Sequence, residues 1–203
     1  MKNRPVHLRI AGIHAEQLQQ HLFPGDGNEA VAFALCGRHR GVDADVLLVQ
    51  EVLLVAYGDC PIRKPDQITW RTEAIEKHLL RASHATPKLG IVKFHSHPTG
   101  YEDFSRTDDI SDRDLFPSIY GWVDDDGPHA SVVMLPDRRM FGRSIDSENR
   151  FRPLRQILVV DHDIGLYVPG GTSPVPAHAE RHAQLFGERT TSLLRQLTVG
   201  VVG

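Results

Sequence analysis

At 203 residues the chain can form one good-sized domain with an appendage, or two small ones. Hydrophobic residues make up 40% and charged residues 24%, a globular balance, and a net charge of −3 with the signs interspersed leaves no electrostatic footprint for nucleic acid. The longest apolar run, Val46 to Tyr57, is too short to cross a bilayer and the amino terminus lacks the apolar core of a signal peptide. The two cysteines, Cys36 and Cys60, form no CxxC pair, so a soluble cytoplasmic protein without a disulfide framework or a thiolate zinc site is expected.

In chain order, Val6 to Ile10 alternates like a short strand, and His14 to Phe23 reads as a helix stopped by Pro24-Gly25. A turn cluster, Gly25-Asp26-Gly27-Asn28, leads into Glu29 to Cys36, an apolar run closed by Gly37 that reads as a buried strand. Val46 to Tyr57 fits one bent strand or two strands equally well. Thr72 to Ala82 reads as a helix with Ile75, Leu79 and Leu80 on one face and His78 beside them. Leu89 to Phe94 is a buried strand running into His95. A loop opens at Pro98-Thr99-Gly100, a helix follows from about Thr107 to Tyr120, and Ala130–Leu135 with Arg139–Arg143 forms a hairpin. Ser144 to Arg155 is polar, Ile157 to Val160 suits one more strand, and Pro169 to Pro176 reads as a linker. The last stretch, His178 to Leu197, has helical spacing.

The chemistry concentrates in Phe94-His95-Ser96-His97-Pro98, followed by Phe104-Ser105-Arg106-Thr107-Asp108. Histidines at i and i+2 on extended chain point to the same side, about 7 Å apart along the strand, so both rings can converge on one ion. Asp108, in the first turn of the next helix, is placed to be the third ligand. Three ligands leave a fourth zinc position for water, the arrangement of a catalytic site. Such a metal lowers the pKa of its water to about 7, and a nearby carboxylate can take the proton and return it to a leaving amine. Glu29 is the candidate base, because a carboxylate opening a buried strand is costly unless it faces a cleft or a partner. Ser105 offers a hydroxyl to an oxyanion.

Each residue also has a plainer reading. His95 and His97 would serve as a hydrogen-bonded pair at a strand end, and Asp108 as a carboxylate favoured by the helix dipole. Ser105 with Asp108 three residues on is a helix-capping pattern. Glu29 would serve as a solvated strand-end residue. Glu51 is a rival base and Asp109 a rival ligand, while His78 and His182 suit packing or surface roles. Asp124-Asp125-Asp126-Gly127 lacks the spacing of a calcium loop and reads as a turn.

The pattern Glu29, His95-Ser96-His97, seven residues, Ser105, two residues, Asp108 resembles the JAMM (JAB/MPN-plus) metalloproteases, which include deubiquitinases and bacterial relatives. The resemblance covers roughly residues 1–145. It implies an α/β (mixed) fold, a cytidine-deaminase-like sheet sandwiched by helices. It further implies zinc (Zn2+) on His95, His97 and Asp108, acid/base work by Glu29, oxyanion support by Ser105, and cleavage after the carboxyl-terminal glycine of a ubiquitin-like or sulfur-carrier-like protein. Phe104 departs from the proline that many members carry there, which bears on loop packing. Arg181, Phe186-Gly187, Leu193-Leu194 and Val199-Gly200-Val201-Val202-Gly203 resemble the start of a ThiF/HesA-type adenylating domain. Together these imply a metalloprotease domain over 1–145, a linker over 146–177, and over 178–203 the opening of a fused adenylating domain.

The rival from another class is a non-catalytic MPN scaffold that binds partner proteins. A third reading, hydrolysis of a small nucleotide or amide, meets the absence of the H-x-E and P-C-x-x-C deaminase signature.

Overall fold

The structure is a computed structural model that describes residues 4–162 and 164–169. The helix and glycine-rich end expected over 178–203, with Arg181, His182, Phe186, Leu193 and Leu194, and the expected linker from residue 170 onward, lie outside the described residues.

Among the described residues eleven strands and three α-helices follow in chain order. They are β1 (Val6–Ala11), α1 (Gly12–Leu22), β2 (Val31–Arg40), β3 (Asp45–Leu54), β4 (Ile62–Lys64), β5 (Gln67–Thr69), α2 (Glu73–His84), β6 (Gly90–Ser96), α3 (Arg106–Val123), β7 (His129–Met134), β8 (Met140–Ile145), β9 (Phe151–Pro153), β10 (Gln156–Val160) and β11 (Ile164–Tyr167). Nine strands form one mixed sheet in the order β11-β10-β1-β3-β2-β6-β7-β8-β9, and β4 with β5 forms a separate small hairpin.

Period-two alternation divides the core between the faces. Ala32, Ala34 and Cys36 of β2, with Leu8, Ile10, Val92 and Phe94, pack against Leu18 and Leu22 of α1. Val31, Phe33 and Leu35, with Ile91, pack against Ile75 and Leu79 of α2 and Phe116, Ile119 and Val123 of α3. Helices therefore cover both faces of a mixed α/β sheet.

Three expectations are corrected and one left open is settled. Gly37 does not close β2, which continues to Arg40 because β3 pairs with it throughout. Val46 to Tyr57 is one strand to Leu54, with an extra residue, Gln50, between Val49 and Glu51 where they pair with Cys36 and Leu35. Leu80 is 39% exposed, and Ala82 takes its place on the buried face of α2. The sheet also runs past residue 145: β9 pairs with β8, β10 lies parallel to β1, and β11 returns beside β10, so residues 151–167 of the expected linker belong to it.

Within α3, Pro117 cannot donate to the carbonyl of Arg113, and the side-chain amide of Asn149 donates to that carbonyl instead (3.1 Å). The acidic run after α3 is a loop held by Arg38, whose guanidinium bonds Asp125 (2.6 Å) and the Gly127 carbonyl (3.0 Å).

His129, fully buried at the start of β7, accepts a hydrogen bond at Nδ1 from the Ile91 amide (2.9 Å), and its Nε2 lies 3.0 Å from the Arg38 guanidinium. Burial first, then the Arg38 charge, hold its pKa well below the ordinary histidine value. Below about pH 6.5 the unfolded chain binds a proton here that the folded chain refuses, so this contribution is complete above that pH and lost as pH falls. Urea denaturation at pH 7.5 and 5.5 should show His129→Gln losing less stability on acidification than the wild type, by up to about 1.4 kcal/mol per pH unit. Identical pH dependence in the two proteins would mean that His129 is not held neutral by the fold.

Candidate metal centre

β6 is buried along its whole length, and His95, with His97 just beyond its end, projects from the face that α3 covers. Gly100, at φ +79°, lets the chain turn back after Pro98, and its amide closes the turn on the His97 carbonyl (2.9 Å). The returning chain starts α3 with Ser105 as N-cap and Asp108 as the third helical residue, a complete capping box. The carboxylate that caps the helix is therefore aimed at the histidine pair.

The three residues converge. His95 Nε2 lies 2.9 Å from Asp108 Oδ1, His97 Nε2 3.3 Å from Asp108 Oδ2, and the two Nε2 atoms 3.2 Å from each other. His97 donates from Nδ1 to the Tyr101 carbonyl (2.8 Å); a carbonyl only accepts, so on the neutral ring Nε2 is left with its lone pair towards the cluster. Two imidazole nitrogens and a carboxylate packed at these distances repel unless a proton or a cation sits among them. His95, His97 and Asp108 thus form a buried group that could hold a metal ion.

Burial lowers the His95 pKa, against its bond to Asp108. For His97 burial acts the same way, yet bonds to Asp108 and the Tyr101 carbonyl raise it overall. Burial would lift Asp108, but bonds from His95, His97 and Ser105 hold it far below the carboxylate range, so it stays ionised. His95 Nδ1 is buried with no hydrogen-bond partner among the described residues.

Glu29 stands beside this group with Oε1 4.0 Å from His97 Nε2, and it is 4% exposed. It precedes β2 rather than opening it. Its amide donates to the Lys64 carbonyl on β4 (2.9 Å), and the next amide, of Ala30, donates to Ser96 Oγ between the two histidines (2.9 Å). Burial, reinforced by the Asp108 charge and opposed by His97 and Lys93, pushes the Glu29 carboxyl up to about 8. A cation at the triad would lower it again.

The capping role of Ser105 is the one on display. Its amide and its hydroxyl both donate to Asp108 Oδ2 (2.7 Å each), and its Oγ accepts from the Asp108 amide (3.1 Å). The rival base Glu51 bonds Arg81 (2.5 Å) and lies 3.6 Å from His78, and the rival ligand Asp109 bonds Arg143. Phe104 packs edge-on against Phe141 (5.4 Å) and under the Arg143 guanidinium (3.8 Å).

Sequence reasoning missed the charge cluster behind the centre. Lys93, two residues before His95, is 2% exposed and pairs with Asp112, one turn after Asp108 and 0% exposed. Asp112 Oδ2 also accepts from Arg143 Nε (3.0 Å) and Nη2 (2.7 Å). A lysine inside the apolar run Gly90-Ile-Val-Lys-Phe94 was the signal, since a buried ammonium needs a partner.

The sequence matches no protein-family model and no curated protein. Among solved structures it is similar to the solution structure of protein DSY2949 from Desulfitobacterium hafniense, with 16% identity, a TM-score of 0.48, and coverage of 76% of this chain and 94% of that chain. No helix among the described residues is long and apolar enough to cross a membrane.

Proposed function

We propose that the chain is a JAMM-type zinc peptidase or isopeptidase that cuts after the carboxyl-terminal glycine of a ubiquitin-like or sulfur-carrier-like protein. The observation that carries this reading is the buried His95–His97–Asp108 group with the carboxyl of Glu29 beside it, 4.0 Å from His97 Nε2. The donor set suits zinc: two ligands about 2.0–2.1 Å from a tetrahedral ion lie about 3.4 Å apart, close to the 3.2 Å between the two histidine Nε2 atoms, and each of these has one Asp108 oxygen nearby, Oδ1 at 2.9 Å or Oδ2 at 3.3 Å. The substrate class rests on the motif's resemblance to the JAMM proteases.

His95 and His97, through Nε2, and Asp108, through its carboxylate, would hold the ion, which when bound supplies Lewis acidity and a water acidified towards neutral pH. Tyr101 fixes the His97 ring through its carbonyl, and Ser105 holds Asp108. Glu29 takes the proton of the attacking water at its carboxylate and delivers it to the departing amine. Burial keeps bulk water from competing for that proton. An oxyanion role for Ser105 requires its hydroxyl to leave Asp108 Oδ2.

Elemental mass spectrometry on protein purified without added metal should find one zinc per chain, absent from His95→Ala/His97→Ala. The zinc-loaded protein should shorten a ubiquitin-like fusion at its terminal glycine. Protein that stays metal-free after reconstitution would sink the reading and favour a partner-binding scaffold; full zinc occupancy with every fusion left intact would remove the peptidase part.

A further inference from the structure

Glu29 reaches the metal centre at the end of a glycine-rich loop. Between α1 and β2 the chain runs Phe23-Pro-Gly-Asp-Gly-Asn28, and Gly25 and Gly27 both take positive φ, +92° and +74°. Two such glycines make the backbone ahead of Glu29 permissive, with more conformations open to it than any other residues would allow. A carboxyl group that must meet a proton within hydrogen-bond reach needs that freedom removed from outside the loop.

The small β4–β5 hairpin removes it, through two consecutive residues of β4. The Lys64 carbonyl accepts the Glu29 amide (2.9 Å), and the Arg63 guanidinium takes both oxygens of Asp26, three residues before Glu29: Nη2 donates to Oδ1 (3.1 Å) and Nη1 to Oδ2. Asp26 Oδ1 also accepts the Asn28 amide (3.1 Å), so one carboxylate ties the loop to the hairpin and closes the loop on itself. An exposed ion pair would fix little. Here the Arg63 side chain is 13% exposed, its bond to Asp26 is bidentate, and its guanidinium lies 4.1 Å over the Tyr57 ring. Tyr57 in turn stacks on the His21 ring (5.0 Å) and donates to the His21 carbonyl (2.8 Å), while His21 Nε2 donates to the Val31 carbonyl (3.1 Å). The stack Arg63–Tyr57–His21 therefore holds the segment that carries Glu29 at both ends, Asp26 and Val31.

We infer that Arg63 is the positioning residue for Glu29: it holds Asp26 while the carbonyl of the next residue holds the Glu29 amide, and together these set where the Glu29 carboxyl stands beside the metal centre. That this placement serves catalysis rests on the peptidase reading. Arg63 acts through the loop backbone, whereas His95, His97 and Asp108 come from β6, its end and α3. Loss of the Arg63–Asp26 pair should therefore displace the base and leave the three ligands where they are.

The test compares Asp26→Ala, Arg63→Ala and the double variant in the whole 203-residue chain. Loaded with zinc, each should keep one ion per chain and lose about 10–100-fold in kcat on a ubiquitin-like fusion, with KM nearly unchanged. The double variant should lose no more than the worse single one, because the two residues act as a unit. Arg63→Lys restores the charge without the bidentate bond and should recover only part of the rate. Independently of turnover, the Glu29 amide should exchange with solvent about tenfold faster in the metal-free variants, while the Ala30 amide, held by Ser96 Oγ, keeps its rate. The Asp26 side chain is 42% exposed, so Asp26→Ala keeps the test decisive if Arg63→Ala does not fold. Unchanged kcat with unchanged Glu29 exchange in Asp26→Ala would overturn the proposal, and so would exchange that quickens equally at Glu29 and Ala30. Wild-type protein that cuts no fusion, with the Glu29 amide alone quickened in Asp26→Ala, would refute the peptidase and leave the positioning role of Arg63 standing.

Discussion

Glu29→Gln is expected to lower kcat on a ubiquitin-like fusion by about 10²–10⁴-fold while leaving one zinc per chain, because the amide keeps the size of the side chain and loses only its basicity. That range corresponds to about 2.7–5.5 kcal/mol of barrier, a large share of what one proton-transfer group supplies. The substitution leaves the bonds that place the residue intact, since the Lys64 carbonyl is met by the Glu29 backbone amide and Ser96 by the amide of Ala30. KM should change little. Parallel zinc and kinetic measurements separate three outcomes. Loss of activity with zinc retained supports the base. Loss of zinc would make Glu29 a ligand. Unchanged kcat would transfer the proton work to another group or to solvent.

Asp112→Ala should cost about 3–5 kcal/mol of stability, the largest single effect expected outside the metal ligands, because it leaves Lys93 buried without its counter-ion. Arg143 fares better, keeping Asp109 and its place between the Phe104 and Phe151 rings, 3.8 and 4.0 Å away. Lys93→Met should lose clearly less than Asp112→Ala, since Asp112 then keeps both bonds from Arg143 and the methionine stem lies beside Trp70. Urea denaturation of the two variants gives the order directly. Equal losses would mean that the cluster is not charge-balanced as described. Zinc affinity of Asp112→Ala should also fall, by about 10–100-fold, because Asp112 fastens the helix turn that follows Asp108.

That His95, His97 and Asp108 come together was legible because the information is local. Two histidines share a strand face by period alone, and Asp108 follows within one loop and one helix turn, so no long-range contact had to be guessed. The capping box was legible for the same reason. Glu29 needed the fold: it is 66 residues from His95, and antiparallel pairing of β2 with β6, Val31 opposite His95, brings it there. Strands of three or four residues escaped altogether. β4, β5, β9 and β11 are too short for alternation to register, although each pairs with a strand close by in the chain. The Lys93–Asp112–Arg143 cluster was missed although the odd lysine in an apolar run was a usable signal; that Asp112 and, through it, Arg143 of β8 answer it needed the fold.

The capping box has one more consequence. Ser105 and Asp108 bond each other through the capping box, and Lys93–Asp112 fastens the next turn. The conformational entropy of arranging the ligands is therefore spent when the chain folds. In a zinc finger the ion must supply that ordering, so affinity and folding rise and fall together. Here the two would be separable: an ion held by His95, His97 and Asp108 would join a site already fastened by the chain's own hydrogen bonds and ion pairs, and its affinity would report mainly coordination chemistry.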